Sequence, residues 1–141
     1  MAKSGPILII EDDLDDQEIY TEILNEIGID NKLIFFPMAA KALEYLQTTK
    51  EKPFVILCDI NLPVMNGIEF KQKIDYDPFL RNKSIPFIFF STSAERSQVN
   101  KAYTELTVQG FFKKESSVEE IAKSLSVILA YWELCKHPNS E

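Results

Sequence analysis

The sequence predicts an α/β domain, a doubly wound five-stranded parallel sheet with helices on both faces. Three observations carry this. Five short apolar runs recur along the chain, at residues 7–10, 33–36, 54–58, 87–90 and 108–112. The first four are continuous rather than alternating, as strands covered on both faces read. Helical spacing fills the gaps between runs, which is the alternation of a parallel sheet.

Each element has its own signal. After the first run, Ile19, Ile23, Leu24 and Ile27 recur at helical spacing, and Gly28 follows as a C-cap. After the second, Ala39, Ala42, Leu43 and Leu46 form a stripe. The third helix is short, around Phe70 and Ile74, and runs into a polar loop at Pro78. The fourth uses Val99, Ala102, Tyr103 and Leu106. The last opens on Ser116-Ser117-Val118-Glu119, a capping-box pattern. Its core stripe is Val118, Ile121, Ala122, Leu125, Ile128, Leu129 and Trp132. Residues 1–141 read as one domain, with a core over about 5–132 and a polar tail at 136–141.

Composition narrows the function. The chain has 141 residues, 45% of them hydrophobic, and a formal net charge of -7. An acidic surface is poorly suited to a nucleic-acid backbone, where Lys and Arg supply the affinity. No run approaches the roughly 18 apolar residues of a membrane span, and the N-terminus lacks the apolar stretch of a signal peptide. Cys58 sits in an apolar run and reads as a buried thiol, with no disulfide expected to the distant Cys135. Together these features suggest the cytoplasm.

Ligands of open parallel sheets bind outside the carboxyl ends of the strands. There the sequence places Glu11-Asp12-Asp13 after the first run, Asp59 after the third, Ser91-Thr92 after the fourth and Lys113-Lys114 after the fifth. Acidic loops are common on acidic proteins, so the first group alone is weak evidence. Its convergence with Asp59 is stronger. Glu11, Asp12 and Asp59 would repel one another, and a cation offsets this. Oxygen donors favour Mg²⁺, with Mn²⁺ as the alternative. Asp59 can also attack a phosphoryl group and form an acyl phosphate. Lys114 is the ammonium expected to face the phosphoryl oxygens, and strand alternation turns Lys113 away. Ser91 either contacts the phosphoryl group or caps the next helix, a role for which Thr92 and Ser93 compete.

These segments resemble a response-regulator receiver domain, the phosphoacceptor module of two-component signalling. The resemblance spans about residues 5–132. It rests on Ile7-Leu8-Ile9-Ile10-Glu11-Asp12-Asp13, on Leu57 to Gly67 (LCDINLPVMNG), on Phe89-Phe90-Ser91 and on Phe111-Phe112-Lys113-Lys114. It implies a flavodoxin-like sheet of strand order 2-1-3-4-5. It implies that Asp59 accepts phosphate from a histidine kinase or a phosphotransfer protein. It further implies Mg²⁺ held by Asp12, Asp59 and the backbone carbonyl of Asn61, with Glu11 acting through water. The chain is then a phosphoacceptor with at most slow self-dephosphorylation, not an enzyme. Three positions depart from the pattern. Glu115 stands where the family usually has proline, so a trans Lys114–Glu115 bond is expected. The switch hydroxyl is Ser91 rather than threonine. The switch aromatic maps to Phe111, with core packing an equal alternative.

No output segment follows the last helix, so output is expected through a protein target or onward passage of phosphate. A second apolar line, Val127, Tyr131 and Leu134, suggests a partner or homodimer surface; folding over the lower edge of the domain is the competing reading. His137 is expected to be solvated in the tail, leaving no histidine donor within the chain. A receiver that binds partners without phosphorylation is disfavoured by the intact Asp59, Ser91 and Lys114. A phosphatase of the haloacid dehalogenase type needs a second aspartate where Asn61 stands. An FMN carrier would find its phosphate repelled by Glu11-Asp12-Asp13.

Overall fold

The computed structural model describes residues 2–92 and 95–139. Five strands, β1 (Ile7–Ile10), β2 (Leu33–Phe36), β3 (Val55–Cys58), β4 (Phe87–Ser91) and β5 (Gly110–Lys113), form one sheet of order β2-β1-β3-β4-β5. Every pairing is parallel, with Ile7 opposite Leu33 and Val55, Ile56 opposite Phe87, and Ile88 opposite Gly110. The strand order and the parallel sense are those expected from the sequence.

Pleating explains the continuous apolar runs. Alternate side chains of β1, β3 and β4 enter opposite faces, and both faces are covered. Leu8, Ile10, Ile56, Cys58, Phe87 and Phe89 pack with α2 (Ala39–Thr48), α3 (Gly67–Tyr76) and α5 (Arg96–Glu105). Ile7, Ile9, Val55, Leu57, Ile88 and Phe90 pack with α1 (Leu14–Glu26) and α6 (Val118–Leu134). Phe54, Phe70, Phe87 and Phe89 are fully buried, and each such burial contributes about 1.5–3 kcal/mol. The edge strands β2 and β5 are only partly covered.

Helix ends follow local chemistry. Asp13 caps α1 by accepting the N–H groups of Asp15 and Asp16. Gly28, at φ 82°, turns the chain out of α1 as expected. The expected capping box of α6 gives way to a simple N-cap one residue later, where Ser117 rather than Ser116 accepts the N–H of Glu120. No helix among the described residues is long and apolar enough to cross a membrane.

Several expectations are corrected. The loop at Pro78 is a short helix, α4 (Pro78–Asn82). Asp77 caps it through Phe79 N and Leu80 N, Pro78 fits its first turn, and Leu80 is buried. Five residues are too few to show periodicity. Ile27, Tyr103 and Val118 are exposed despite their place in the apolar stripes. Tyr103 serves the sheet edge instead, since its hydroxyl accepts the Phe111 N–H at 2.9 Å. The largest correction is His137, which has no exposed surface. Its Nδ1 accepts the Asn139 N–H at 3.1 Å, so Nε2 carries the proton and donates to the Phe54 carbonyl at 2.7 Å. Its ring stacks on Phe54 and meets Trp132 edge-on. The tail returns because a buried strand-end carbonyl needs a donor.

Candidate functional site

The sheet ladder itself places the site. Glu11 N donates to Phe36 O at 3.0 Å, Asp59 N to Ile10 O at 3.0 Å, and Lys114 N to Ser91 O at 2.7 Å. Each residue thus continues its strand by one position and stands at the carboxyl edge. Asp59 is half-buried. Its Oδ1 accepts the Ser91 hydroxyl at 2.6 Å, Ile60 N at 2.7 Å and Asn61 N at 3.4 Å. Oδ2 takes no hydrogen bond among the described residues. One carboxylate oxygen is therefore fixed while the other remains available for chemistry.

The loop after Asp59 is tightly built. Gly67 N donates to Ile60 O, and Asn66 with Glu69 forms a capping box on α3. A Cβ at Gly67 would collide with the Asp59 carbonyl, so only glycine lets α3 start this close to the site. Asn61 is exposed, two residues beyond Asp59.

Glu11 is only 2% exposed, and its Oε1 accepts the Lys114 ammonium at 2.7 Å. Burial pushes the Glu11 carboxyl above its usual value, Lys114 pulls against this without cancelling it, and Asp59 adds to the rise. Lys114 is itself buried and holds Asp16 at 2.9 Å as well. Burial alone would depress its pKa; charge interaction with the Tyr20 hydroxyl and hydrogen bonds to the two carboxylates outweigh this and raise it, and the Tyr20 ring lies 5.5 Å away. Ligand atoms of Glu11, Asp12 and Asp59 all lie within 4.8 Å of one another. This all-oxygen set fits a hard divalent ion. Asp12 is exposed and Asp59 half-buried, so both can ligate directly, whereas Glu11 is engaged by Lys114.

The structure thus brings together Glu11, Asp12, Asp59, Ser91 and Lys114. Lys113 is exposed on the other side of β5, as alternation requires. Ser91 ends β4, while the cap of α5 is Glu95, so the helix-cap role falls away from Ser91 and Thr92; Ser93 lies outside the described residues. The Lys114–Glu115 bond is trans. Sequence reasoning missed Asp16 and Tyr20. Asp16 lies in the first turn of the helix that follows the acidic group, and no spacing rule pointed to it. Tyr20 carried no signal beyond a helical stripe.

The sequence profile of the response regulator receiver domain matches residues 7–126. The chain belongs to the response-regulator receiver family. The receiver is 31% identical to response regulator Rcp1 of Synechocystis sp. over 131 residues, covering 89% of this chain and 87% of Rcp1. The solved Mn²⁺-bound form of Rcp1 superposes with a TM-score of 0.83 at 29% identity, over 94% of this chain and 98% of that one. The bacteriophytochrome response regulator RtBRR is 31% identical, with a TM-score of 0.74 over 96% of this chain and 82% of its own. The receiver therefore belongs to two-component signalling, and its sheet has the flavodoxin-like order. Phe111 of the receiver is half-buried and packs on Phe89 at 5.6 Å. Tyr131 and Leu134 are 59% and 87% exposed on α6, beside the exposed Val127.

Proposed function

We propose that Asp59 accepts a phosphoryl group from a histidine kinase, or from a phosphotransfer protein, in an Mg²⁺-dependent reaction. Residues 1–141 act as one receiver domain in the cytoplasm. The observation that carries the proposal is the Asp59 carboxylate, with Oδ1 held by Ser91 at 2.6 Å and clustered with Glu11, which holds the buried Lys114 ammonium. Oδ2 is the attacking atom. Asp12, Asp59 and the Asn61 carbonyl would hold the ion directly and Glu11 through water; Mn²⁺, as in the Rcp1 relative, fits the same donors. Bound there, the ion supplies positive charge for the phosphoryl oxygens. The relatives RtBRR and AtBRR are bacteriophytochrome response regulators, which favours a kinase of that photoreceptor class as donor. Acetyl phosphate with Mg²⁺ should add one phosphoryl group to the intact mass, and chelation of the metal should stop it. Asp12→Ala should weaken Mg²⁺ binding by about ten-fold or more, one or two carboxylates being its usual anchors. Unchanged Mg²⁺ affinity would remove Asp12 from the site.

Phosphorylation then acts as a switch. The added dianion competes for the Ser91 hydroxyl now on Oδ1 and for the Lys114 ammonium now on Glu11 and Asp16. Charge-assisted bonds of this kind are worth about 1.5–3 kcal/mol each, and a shift of about 5.5 kcal/mol inverts a 1:99 population. Movement of Ser91 opens space toward which Phe111 turns, changing the surface of α5, β5 and α6. Tyr131 and Leu134 sit on that surface and contact the downstream protein or a second copy. Beryllofluoride with Mg²⁺ should shift the backbone resonances of Ser91, Phe111 and α5. In Ser91→Ala the changes at Phe111 should shrink; full-sized changes there would rule out Ser91 as the relay.

A further inference from the structure

A second cavity lies at the opposite edge of the sheet, away from Asp59. It encloses about 300 Å³, at the small end of ligand sites. Ile56 and Phe87, near the starts of β3 and β4, line it together with Ile74, Leu80 and Trp132. Its polar lining is unusual for this chain. Lys71, Arg81 and Lys83 line it, Lys83 with its ammonium 4.8 Å over the Phe79 ring, and no lining residue among the described residues carries a carboxylate, although Asp and Glu outnumber Lys and Arg by 22 to 15 overall.

Lys71 is a buried ammonium, 4% exposed. It pairs with Asp75 at 3.0 Å and sits 4.9 Å over the Phe87 ring. An ammonium has three donors, so this pairing leaves donors for a ligand. Asp75 is fully engaged, accepting the Thr107 N–H at 2.8 Å and the Thr107 hydroxyl at 2.6 Å in addition to Lys71. Burial pulls the Lys71 ammonium below its usual value despite Asp75, so an added anion would relieve it. The returning tail closes one side. Pro138 lines the cavity, His137 donates to Phe54 O, and Asn139 donates to Lys83 O at 2.6 Å.

We infer that this cavity binds a small amphipathic carboxylate, with its apolar body against Ile74, Leu80, Phe87 and Trp132 and its carboxylate toward Lys71 and Arg81. Apolar walls with a few convergent polar groups are the usual build of small-molecule sites. The excess of cations selects an anion over a neutral or cationic analogue. The site is separate from the phosphoryl site and does not depend on it.

Phenylacetate titrated into the full chain at constant ionic strength tests this. Trp132 is the only tryptophan, so its fluorescence reports on the cavity directly. The expected result is a saturable response with amide shifts at Ser84, Phe87, Thr107 and Trp132. Phenylacetamide, phenethylamine and acetate should each bind at least about ten-fold more weakly, as should phenylacetate to Arg81→Gln, since bonds to charged groups are the stronger ones. Acetyl phosphate labelling of that variant should match wild type, showing that it folds. No saturable response at about 10 mM, well above a weak specific Kd, would overturn the inference. Equal binding of phenylacetamide would also do so, by showing an apolar cavity without anion selection. Equal binding of acetate would show charge attraction alone and reject it too.

Discussion

Asp59→Asn should abolish phosphoryl incorporation from acetyl phosphate while leaving the fold as stable as wild type or slightly more so. Asparagine keeps the shape, and its side-chain oxygen can still accept from Ser91, Ile60 N and Asn61 N, the three donors that hold Oδ1. A carboxamide cannot form the acyl phosphate, so the loss should be complete rather than partial. Stability moves the other way because Asp59 stands with Glu11 and Asp12 in one carboxylate cluster, where like charges repel. The Asp59 charge already pushes the Glu11 carboxyl up, and removing it relieves part of that strain. Intact mass after labelling and urea unfolding without Mg²⁺ check both halves. A labelled Asp59→Asn would move the phosphoacceptor elsewhere. A large loss of stability would mean that Asp59 has a structural role which its hydrogen bonds do not reveal.

The second large effect is on folding. Asp75→Ala should cost about 3–5 kcal/mol, because breaking a buried pair strands the other charge. Against a total of about 5–15 kcal/mol this is severe. Lys71 would keep its ammonium in an apolar setting, and Thr107 would lose both of its bonds to Asp75. Lys71→Met should cost less, since Thr107 still satisfies Asp75. Equal losses for the two variants would show that Thr107 contributes little. The pH dependence follows from Asp75. Burial alone would raise its carboxyl, but Thr107 and Lys71 hold it below the usual 3.8. A depressed carboxyl stabilises the fold above its unfolded value, and that contribution fades as pH falls through the lower folded value. The gap between wild type and Asp75→Ala in urea midpoint should therefore be full above about pH 4 and narrow on further acidification. Lys71, held below its usual value by burial, also makes stability rise with pH, but through the relief of a cost in a higher pH range. Its charged form is disfavoured in the fold, and that cost is relieved only as pH rises toward the alkaline range.

The sequence by itself determined the strands, their order through the receiver resemblance, and the residues at the carboxyl edge. Continuous runs such as Ile7–Ile10 are legible because a strand covered on both faces must be apolar throughout. Glu11, Asp59, Ser91 and Lys114 are legible because each follows such a run by position alone. Contacts between distant segments were decided only by the tertiary structure. Asp16 reaches Lys114 across 98 residues of chain, and His137 reaches Phe54 across 83. No local period encodes such a pairing; it forms because packing leaves a buried ammonium or carbonyl that needs a partner. The same reason explains α4, where Asp77 and Pro78 read as a loop until Leu80 found a core to enter. It also explains the basic cavity, whose cations come from α3 and from the end of α4, and whose wall comes from a tail that looks merely polar in sequence.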